Sequence, residues 1–409
     1  MGRGLDLRRL RILHVSGGLG PNLGGPSRAA REMCAAIAAR GHLVTLFSTN
    51  LNHRGTWSPL RSPRILDVPT QVRLREDGYD LMYFPVRWPT RFSYAPSMVP
   101  ALREAMAEAD AVHIHSLYLF TSLVAAREAR RLGIPYVVRP HGTLDPYLRR
   151  RHRWRKAALD LAFQRRDLDL AAAIHYTSQE ESDLARPLGF RAPSMVVPHG
   201  FDVSELRHLP APSEYGRSHP ALADADLVVF LGRITPKKGL EILLGAFATV
   251  AADHPRAMLV IAGPDDEGHG DKVRALVRRL RLEDRVHMPG MLLGREKLEL
   301  LAATQVWVLP SHSENFGVAV VEAMACGLPV VISDRIAIHD QVTNAGAGLV
   351  VGVDSGEVAR AMASLLDNAA MRRRLGKAAA RLAREQFSWD AAAAELERVY
   401  LSIAGGVRA

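Results

Sequence analysis

"QVWVLPSHSENFGVAVVEAMACGLPVV", residues 305–331, is the stretch on which the fold turns. An apolar run (305–310) leads into a polar loop. A second apolar run opens near Gly317 and ends at Cys326-Gly327-Leu328-Pro329, a helix stop, before "PVVIS" (329–333). The flanking runs are nearly continuous in Val, Ile and Leu rather than alternating. Such runs mark strands buried on both faces, as in a parallel sheet covered by helices on each side. Two glutamates bracket the start of the intervening helix. Glu314 lies in the loop, and Glu322 lies about one and a half turns into the helix.

The same alternation of short β-type runs and longer helix-type segments extends outward through the chain. The first half offers "RILHV" (11–15), "HLVTLF" (42–47), "MYFPV" (82–86), "AVHIH" (111–115), "PYVVR" (135–139), "AIHYT" (173–177) and "SMVVP" (194–198). The second half offers "DLVVFLG" (226–232), "AMLVIAG" (257–263), "RVHMPG" (285–290), "QVWVLP" (305–310), "PVVIS" (329–333) and "AGLVV" (347–351). Between the halves, 203–225 carries three prolines and no stable period, and reads as an interdomain linker. The expected class is α/β: two doubly wound parallel-sheet domains, 1–205 and 206–387, facing each other across a cleft. Ligands in such sheets bind beyond the carboxyl ends of the strands. The residues just after each strand are therefore the ones to read.

Composition narrows the partners. At 409 residues the chain is too long for one ordinary domain. Its net charge of +10 and pI of about 9.9 suit an anionic partner: a nucleotide, a phospholipid surface or a nucleic acid. The two cysteines, Cys34 and Cys326, lie far apart in helix-like segments, which argues against a disulfide framework and for a reducing cytosol. No signal peptide is visible, and no apolar run approaches the roughly 20 residues that span a bilayer. The expected location is cytoplasmic, in solution or on a membrane surface.

After the first strand comes "SGGLGPNLGGPSR" (16–28), with five glycines in nine residues. These let backbone approach a ligand, and Ser27 is placed to cap the helix that follows. After the strand at 226–231 comes "GRITPKKGLEIL". Arg233 and Lys238 stand beside a helix opened by Gly239, where two fixed cations would clamp a diphosphate. After the strand at 305–309, the first N–H groups of the next helix, around Phe316, Gly317 and Val318, suit a phosphate. Glu322 is too costly as a lone buried carboxylate and is placed to bind vicinal hydroxyls. Glu314 would meet whatever lies on the other side of the diphosphate. Ribose, diphosphate and sugar have that shape together. A dehydrogenase fails on the missing G-x-G-x-x-G and acidic partner.

"SENFGVAVVEAMACGLPVV" resembles the E-x7-E motif of the retaining glycosyltransferases of family GT4, and "GRITPKKG" resembles that family's donor loop. "GG" (24–25), "RPHG" (139–142) and "VVPHGFD" (196–202) fall in the family's order, and the resemblance covers essentially the whole chain. His199 is a departure, where the family usually has asparagine. The resemblance implies the GT-B fold, with an N-terminal acceptor domain, a C-terminal donor domain, and a last helix (388–409) crossing back onto the first domain. It implies a retaining, metal-independent hexosyltransferase that needs no cofactor. Its substrates would be a nucleoside-diphosphate sugar and a saccharide or lipid-linked acceptor, in bacterial polysaccharide biosynthesis. Arg233 and Lys238 would bind the diphosphate, Glu322 the ribose, and Glu314 the sugar's hydroxyls. His141 would lie near the sugar, Gly24 and Gly25 near the diphosphate, and the base near Gly263 and Met291. A nucleotide-sugar epimerase or hydrolase of the same fold is the alternative.

Three further features bear on partners. "DLD" (167–169) mimics a metal-binding D-x-D but sits in a helix pattern, so no metal site is expected. His113 and His115 share one face of a strand and read as satisfied core or rim groups. "RRRHRWRK" (149–156) holds six Lys or Arg in eight residues around Trp154. From Arg149 to Lys156 it suits an anionic membrane, on the inner face of which lipid-linked acceptors lie. Without a reading helix or RNA module, nucleic acid is not expected.

Overall fold

The computed structural model describes residues 8–405, apart from 21–22, 24, 53–64, 147–148, 150–152, 203–205, 207–208, 266–267 and 315. The chain divides into two compact units. One runs to Gly200 and resumes at Trp389; the other is Phe201–Ser388.

The first unit is built on an eight-stranded sheet: β1 (Arg11–Val15), β2 (Leu43–Thr49), β3 (Arg73–Glu76), β4 (Tyr79–Phe84), β5 (Ala111–His115), β6 (Tyr136–Arg139), β7 (Ala173–Tyr176) and β8 (Ser194–Val196). The order is β3-β4-β2-β1-β5-β6-β7-β8, so the direction of winding reverses between β1 and β5. All pairs are parallel except β3 with β4. That strand departs from the expected all-parallel sheet. It is a charged edge, and Asp77 and Gly78, both at positive φ, turn it directly into β4. Ile12, Ala111, Val137 and Ala173 pack on one side of the sheet with Tyr400 and Leu396 of the final helix, Trp389–Gly405. Leu13, Val112, Val138 and Ile174 pack on the other side. This is the period of two expected of strands with both faces covered.

The second unit holds β9 (Asp226–Leu231), β10 (Ala257–Ala262), β11 (Val286–Gly290), β12 (Thr304–Leu309), β13 (Val330–Ser333) and β14 (Gly348–Val351). Their order is β11-β10-β9-β12-β13-β14, all parallel. Winding reverses between β9 and β12, so a crevice forms beyond the carboxyl ends of those two strands.

The stretch read as a linker is largely something else. Residues 213–222 form a short helix and a 3-10 turn of the second unit, with Tyr215 fully buried and stacked on His219 at 4.2 Å. Proline there starts turns rather than a spacer, and the chain passes between units earlier, at Gly200 and Phe201. Among the described residues, no helix is long and apolar enough to cross a membrane. Cys34 and Cys326 are free, and burial pushes both thiols up, Cys326 to about 12.

Candidate active site

The two loops at the reversal point of the second sheet are joined at the level of the backbone. Gly239, at φ 68°, lies so close to the loop after β12 that a Cβ there would fall 2.1 Å from the Pro310 carbonyl oxygen. His312 N–H donates to the Lys237 carbonyl at 2.9 Å. Glu314 is fixed by its own backbone: its N–H donates to Arg335 O, and its carbonyl accepts from Ala337 N–H, both at 3.0 Å. With both loops so held, Lys238 Nζ and Glu314 Oε2 meet at 2.5 Å, and both side chains are mostly buried. The sequence assigned these two residues to different parts of one ligand; the structure places them in direct contact.

Three residues on, Gly317 at φ 78° caps the helix Val318–Ala325. The positive φ favours glycine, and a Cβ there would also crowd the Val320 and Ile336 methyl groups at 3.1 and 3.2 Å. Phe316 is buried, edge-on to Phe387 at 5.5 Å, while Val318 is exposed. Glu322 is buried in the helix and ion-paired to Lys297, which the helix Gly294–Ala303 supplies. Lys297 escaped the sequence reading, because one lysine in an ordinary amphipathic helix carries no signal of its partner. It answers the cost of burying a carboxylate. Arg233 and Met291 are exposed at the ends of β9 and β11. Gly263 lies against Gly232, where a Cβ would fall 1.8 Å from its carbonyl oxygen.

In the first unit, His141 follows β6 at φ 53° and is half-buried, with Nε2 at 3.3 Å from His115 Nδ1. Gly142 N–H donates to Glu181 at 2.7 Å, which fixes the turn. Gly25 begins the helix Gly25–Ala39. Gly24 lies outside the described residues. Ser27 is therefore inside the first turn rather than capping it, and its hydroxyl donates to Gly18 O at 3.3 Å. His199 packs edge-on against Trp389 at 5.0 Å, and burial, then the charge of Arg139, lowers it to about 3.

His113 and His115 are buried and hydrogen-bonded, but within a larger group that includes His14, His175 and Arg139. The D-x-D carboxylates are committed elsewhere: Asp167 to Arg130 at 2.6 Å, Asp169 to Arg165 at 2.9 Å. Among the described residues, no group of three or more His, Cys, Asp or Glu could hold a metal ion. Of the basic run, Arg149 pairs with Asp160 at 3.0 Å, Trp154 is exposed, and Lys156 lies over the Tyr118 ring at 5.7 Å. Residues 150–152 lie outside the described set.

Comparison with known proteins follows the two units. The family described as "Glycosyl transferase 4-like domain" matches residues 24–200, and "Glycosyl transferases group 1" matches 214–382. D-inositol 3-phosphate glycosyltransferase 2 of Catenulispora acidiphila is 31% identical over 334 residues, 75% of each chain. GDP-mannose:cellobiosyl-diphosphopolyprenol alpha-mannosyltransferase of Xanthomonas oryzae pv. oryzae is 27% identical over 86% of this chain and 85% of that one. Several further matches are partial, the chain spanning about half the length of those relatives. D-inositol 3-phosphate glycosyltransferase of Kineococcus radiotolerans is 33% identical over 50% of this chain and only 51% of its own length.

Among solved structures, sucrose-phosphate synthase from Thermosynechococcus elongatus has a TM-score of 0.70 at 22% identity, covering 97% of this chain and all of that one. Anabaena HepE in complex with UDP and glucose has a TM-score of 0.72 at 20% identity, covering 96% and 100%. These two likenesses bear on the fold, which is GT-B. The curated relatives carry transferase names, which favours transfer over the epimerase or hydrolase reading. An identity above 30% across three quarters of both chains is a likeness of family and not of fold alone: this chain belongs to the group 1, GT4-type glycosyl transferases.

Proposed function

We propose that the protein transfers a hexose from a nucleoside-diphosphate sugar to a saccharide or lipid-linked acceptor, with retention of configuration and without a metal ion. The observation that carries this reading is the Lys238–Glu314 pair, held on two fused loops beside a helix N-terminus. Cation and carboxylate in contact form a site whose partner can be exchanged. An incoming diphosphate competes for Lys238, and Glu314 is released toward the hydroxyls of the transferred sugar. Arg233 adds a bidentate contact, and the N–H groups around Phe316 to Val318 add the helix dipole. Together these groups meet the charge that develops on the leaving phosphate. Glu322 binds the ribose, and the base meets backbone near Gly263 and Met291. His141 hydrogen-bonds the transferred sugar, and Gly24 and Gly25 approach the diphosphate. The acceptor attacks from the face the diphosphate leaves, and the departing phosphate takes its proton.

The names of relatives support the choice of substrates: a GDP-mannose-dependent mannosyltransferase acting on a diphosphopolyprenol, and a neighbour solved with UDP and glucose. A polysaccharide pathway on the inner face of the cytoplasmic membrane suits such an acceptor, with Trp154 and the basic run as the surface contact.

A thermal-shift screen of nucleotide sugars tests the donor. A true donor at about 100 times its dissociation constant adds roughly 2.7 kcal/mol of stability. Product NMR then reads the anomeric configuration, with and without EDTA. Failure of every nucleotide sugar to shift the melt refutes the reading. An inverted product or activity abolished by EDTA refutes its finer part. Co-sedimentation with anionic, but not neutral, vesicles tests the surface contact.

A further inference from the structure

Five histidines and one arginine gather at the carboxyl ends of four neighbouring strands in the first unit. They are His14 on β1, His113 and His115 on β5, Arg139 on β6, His175 on β7, and His141 just past β6. The register aligns His14 with His113 and His115 with Arg139, so strand periodicity sets these on one face. All but His141 are at most 1% exposed.

The imidazoles form two hydrogen-bonded chains. In one, His175 Nε2 lies 2.9 Å from the Val197 carbonyl oxygen, His175 Nδ1 lies 3.4 Å from His113 Nε2, and His113 Nδ1 lies 2.6 Å from Tyr400 Oη. A carbonyl only accepts, so His175 Nε2 carries its hydrogen. Burial, above all, keeps these rings neutral, each with a single N–H. The direction is then set throughout: Tyr400 donates to His113, His113 to His175, and His175 to the carbonyl.

The second chain runs from His14 Nδ1 to His115 Nε2 at 3.0 Å, and from His115 Nδ1 to His141 Nε2 at 3.3 Å. Its rings are stacked, with centroids 5.3 and 5.5 Å apart. Its direction is read from its buried end. At its buried end, His14 Nε2 has no hydrogen-bond partner among the described residues, and neither do Arg139 Nε and Nη1. Burial and then the Arg139 charge hold His14 neutral, lowered to about 3. An outward direction leaves a lone pair on His14 Nε2 in the field of a buried guanidinium. The reverse direction puts an N–H there, a donor in the field of the same cation and without an acceptor among the described residues. A buried N–H left without an acceptor is costly and rare, and this one would add to the two already on Arg139.

We propose that His14 and His115, oriented by Arg139, are positioning residues that fix His141 as the tautomer with a bare Nε2 and a hydrogen on Nδ1. His141 is thereby a hydrogen-bond donor through Nδ1, suited to a sugar oxygen, and not a base. The step from tautomer to sugar rests on the role of His141 proposed above; the tautomer itself does not.

Two-bond 15N–1H correlation spectra of the full chain, labelled at histidine, read each ring nitrogen as protonated or bare. His175, set by its carbonyl, serves as the internal reference. In the parent, His141 should show a protonated Nδ1 and a bare Nε2. In His115→Phe and His14→Phe, with folding checked by near-UV dichroism, that preference should be lost. A bare Nδ1 in the parent overturns the proposal without need of any variant, and so does a tautomer unchanged in both variants. In transfer assays, His115→Phe should lower kcat about tenfold, as loss of a supporting partner does, with the KM for donor little changed. His141→Gln, which keeps an N–H, should retain more activity than His141→Ala. If the parent tautomer is found but His141→Ala transfers at the parental rate, the relay stands and the sugar-binding role of His141 falls.

Discussion

At the carboxyl end of the first sheet, four rings that burial keeps neutral gather with one buried guanidinium, which also feels the Glu181 carboxylate. At the carboxyl end of the second, they are ion pairs: Lys238 with Glu314, and Lys297 with Glu322. Both arrangements satisfy groups that water no longer reaches, but by different physics. A chain of imidazoles keeps its geometry because each ring has one donor and one acceptor, and no partner can leave without orphaning the next. An ion pair is a contact between two charges that a third charge can replace. The first arrangement suits a fixed hydrogen-bonding direction; the second suits exchange with an anion.

The largest test of this contrast is acid. Burial lowers His14, His113, His115 and His175 below the ordinary 6.5 in the folded protein. Below about pH 6.5 the unfolded chain therefore binds more protons, so stability is full above that pH and is lost as pH falls. Each ring that stays neutral removes about 1.4 kcal/mol per pH unit. Urea unfolding between pH 7 and 5 should show the first unit losing stability more steeply than the second. Parallel decline of both units would erase the contrast.

A smaller effect is expected at the buried pair. Lys297→Ala leaves Glu322 buried without the cation it pairs with. Loss of one partner of a buried pair costs up to about 3–5 kcal/mol, and here about 2–3, because the lysine still reaches water. Denaturant midpoints measure this, and an unchanged midpoint would make the pair incidental.

Next comes Lys238→Ala. It should weaken a nucleoside diphosphate about 10- to 100-fold by calorimetry, the equivalent of one charge-assisted bond. Parental affinity would remove Lys238 from the site.

The smallest effect on affinity is predicted for Glu314→Gln. Transfer should fall, while the nucleoside diphosphate binds within about twofold of the parent or tighter, since the carboxylate competes for Lys238. If affinity drops as it does for Lys238→Ala, the pair is structural and does not exchange.

Much of this was legible in the sequence because strands buried on both faces are continuous apolar runs. "AVHIH" and "DLVVFL" appear in the structure at the residues that name them. The loops of the candidate site were legible for a related reason, since glycine concentrates where backbones must touch, as at Gly239 and Gly263. Strand β3 was missed although "DG" at 77–78 is a hairpin signal, because "RLRE" is charged and an edge strand needs no apolar run. Partnerships across the fold were not legible at all. Nothing near Glu322 names Lys297, and nothing in "RILHV" says that its histidine meets another from β5. Those pairings are set by strand order, which periodicity within one segment does not encode. The alternation itself, His113 and His115 on one face, was the one visible trace of the buried chain.

The passage of the chain between units has an evolutionary consequence. The second unit begins at Phe201 and ends at Ser388; these two residues are bridged, and Phe201 N–H donates to Phe387 O at 2.7 Å. A module whose two ends are tied together can be lifted out of, or set into, a host chain at a single point without stretching either. The second unit is thus an insertion by topology, whatever its history. Recombination that trades residues 201–388 as one cassette preserves both ends of the graft, whereas a crossover anywhere inside it must rebuild a sheet.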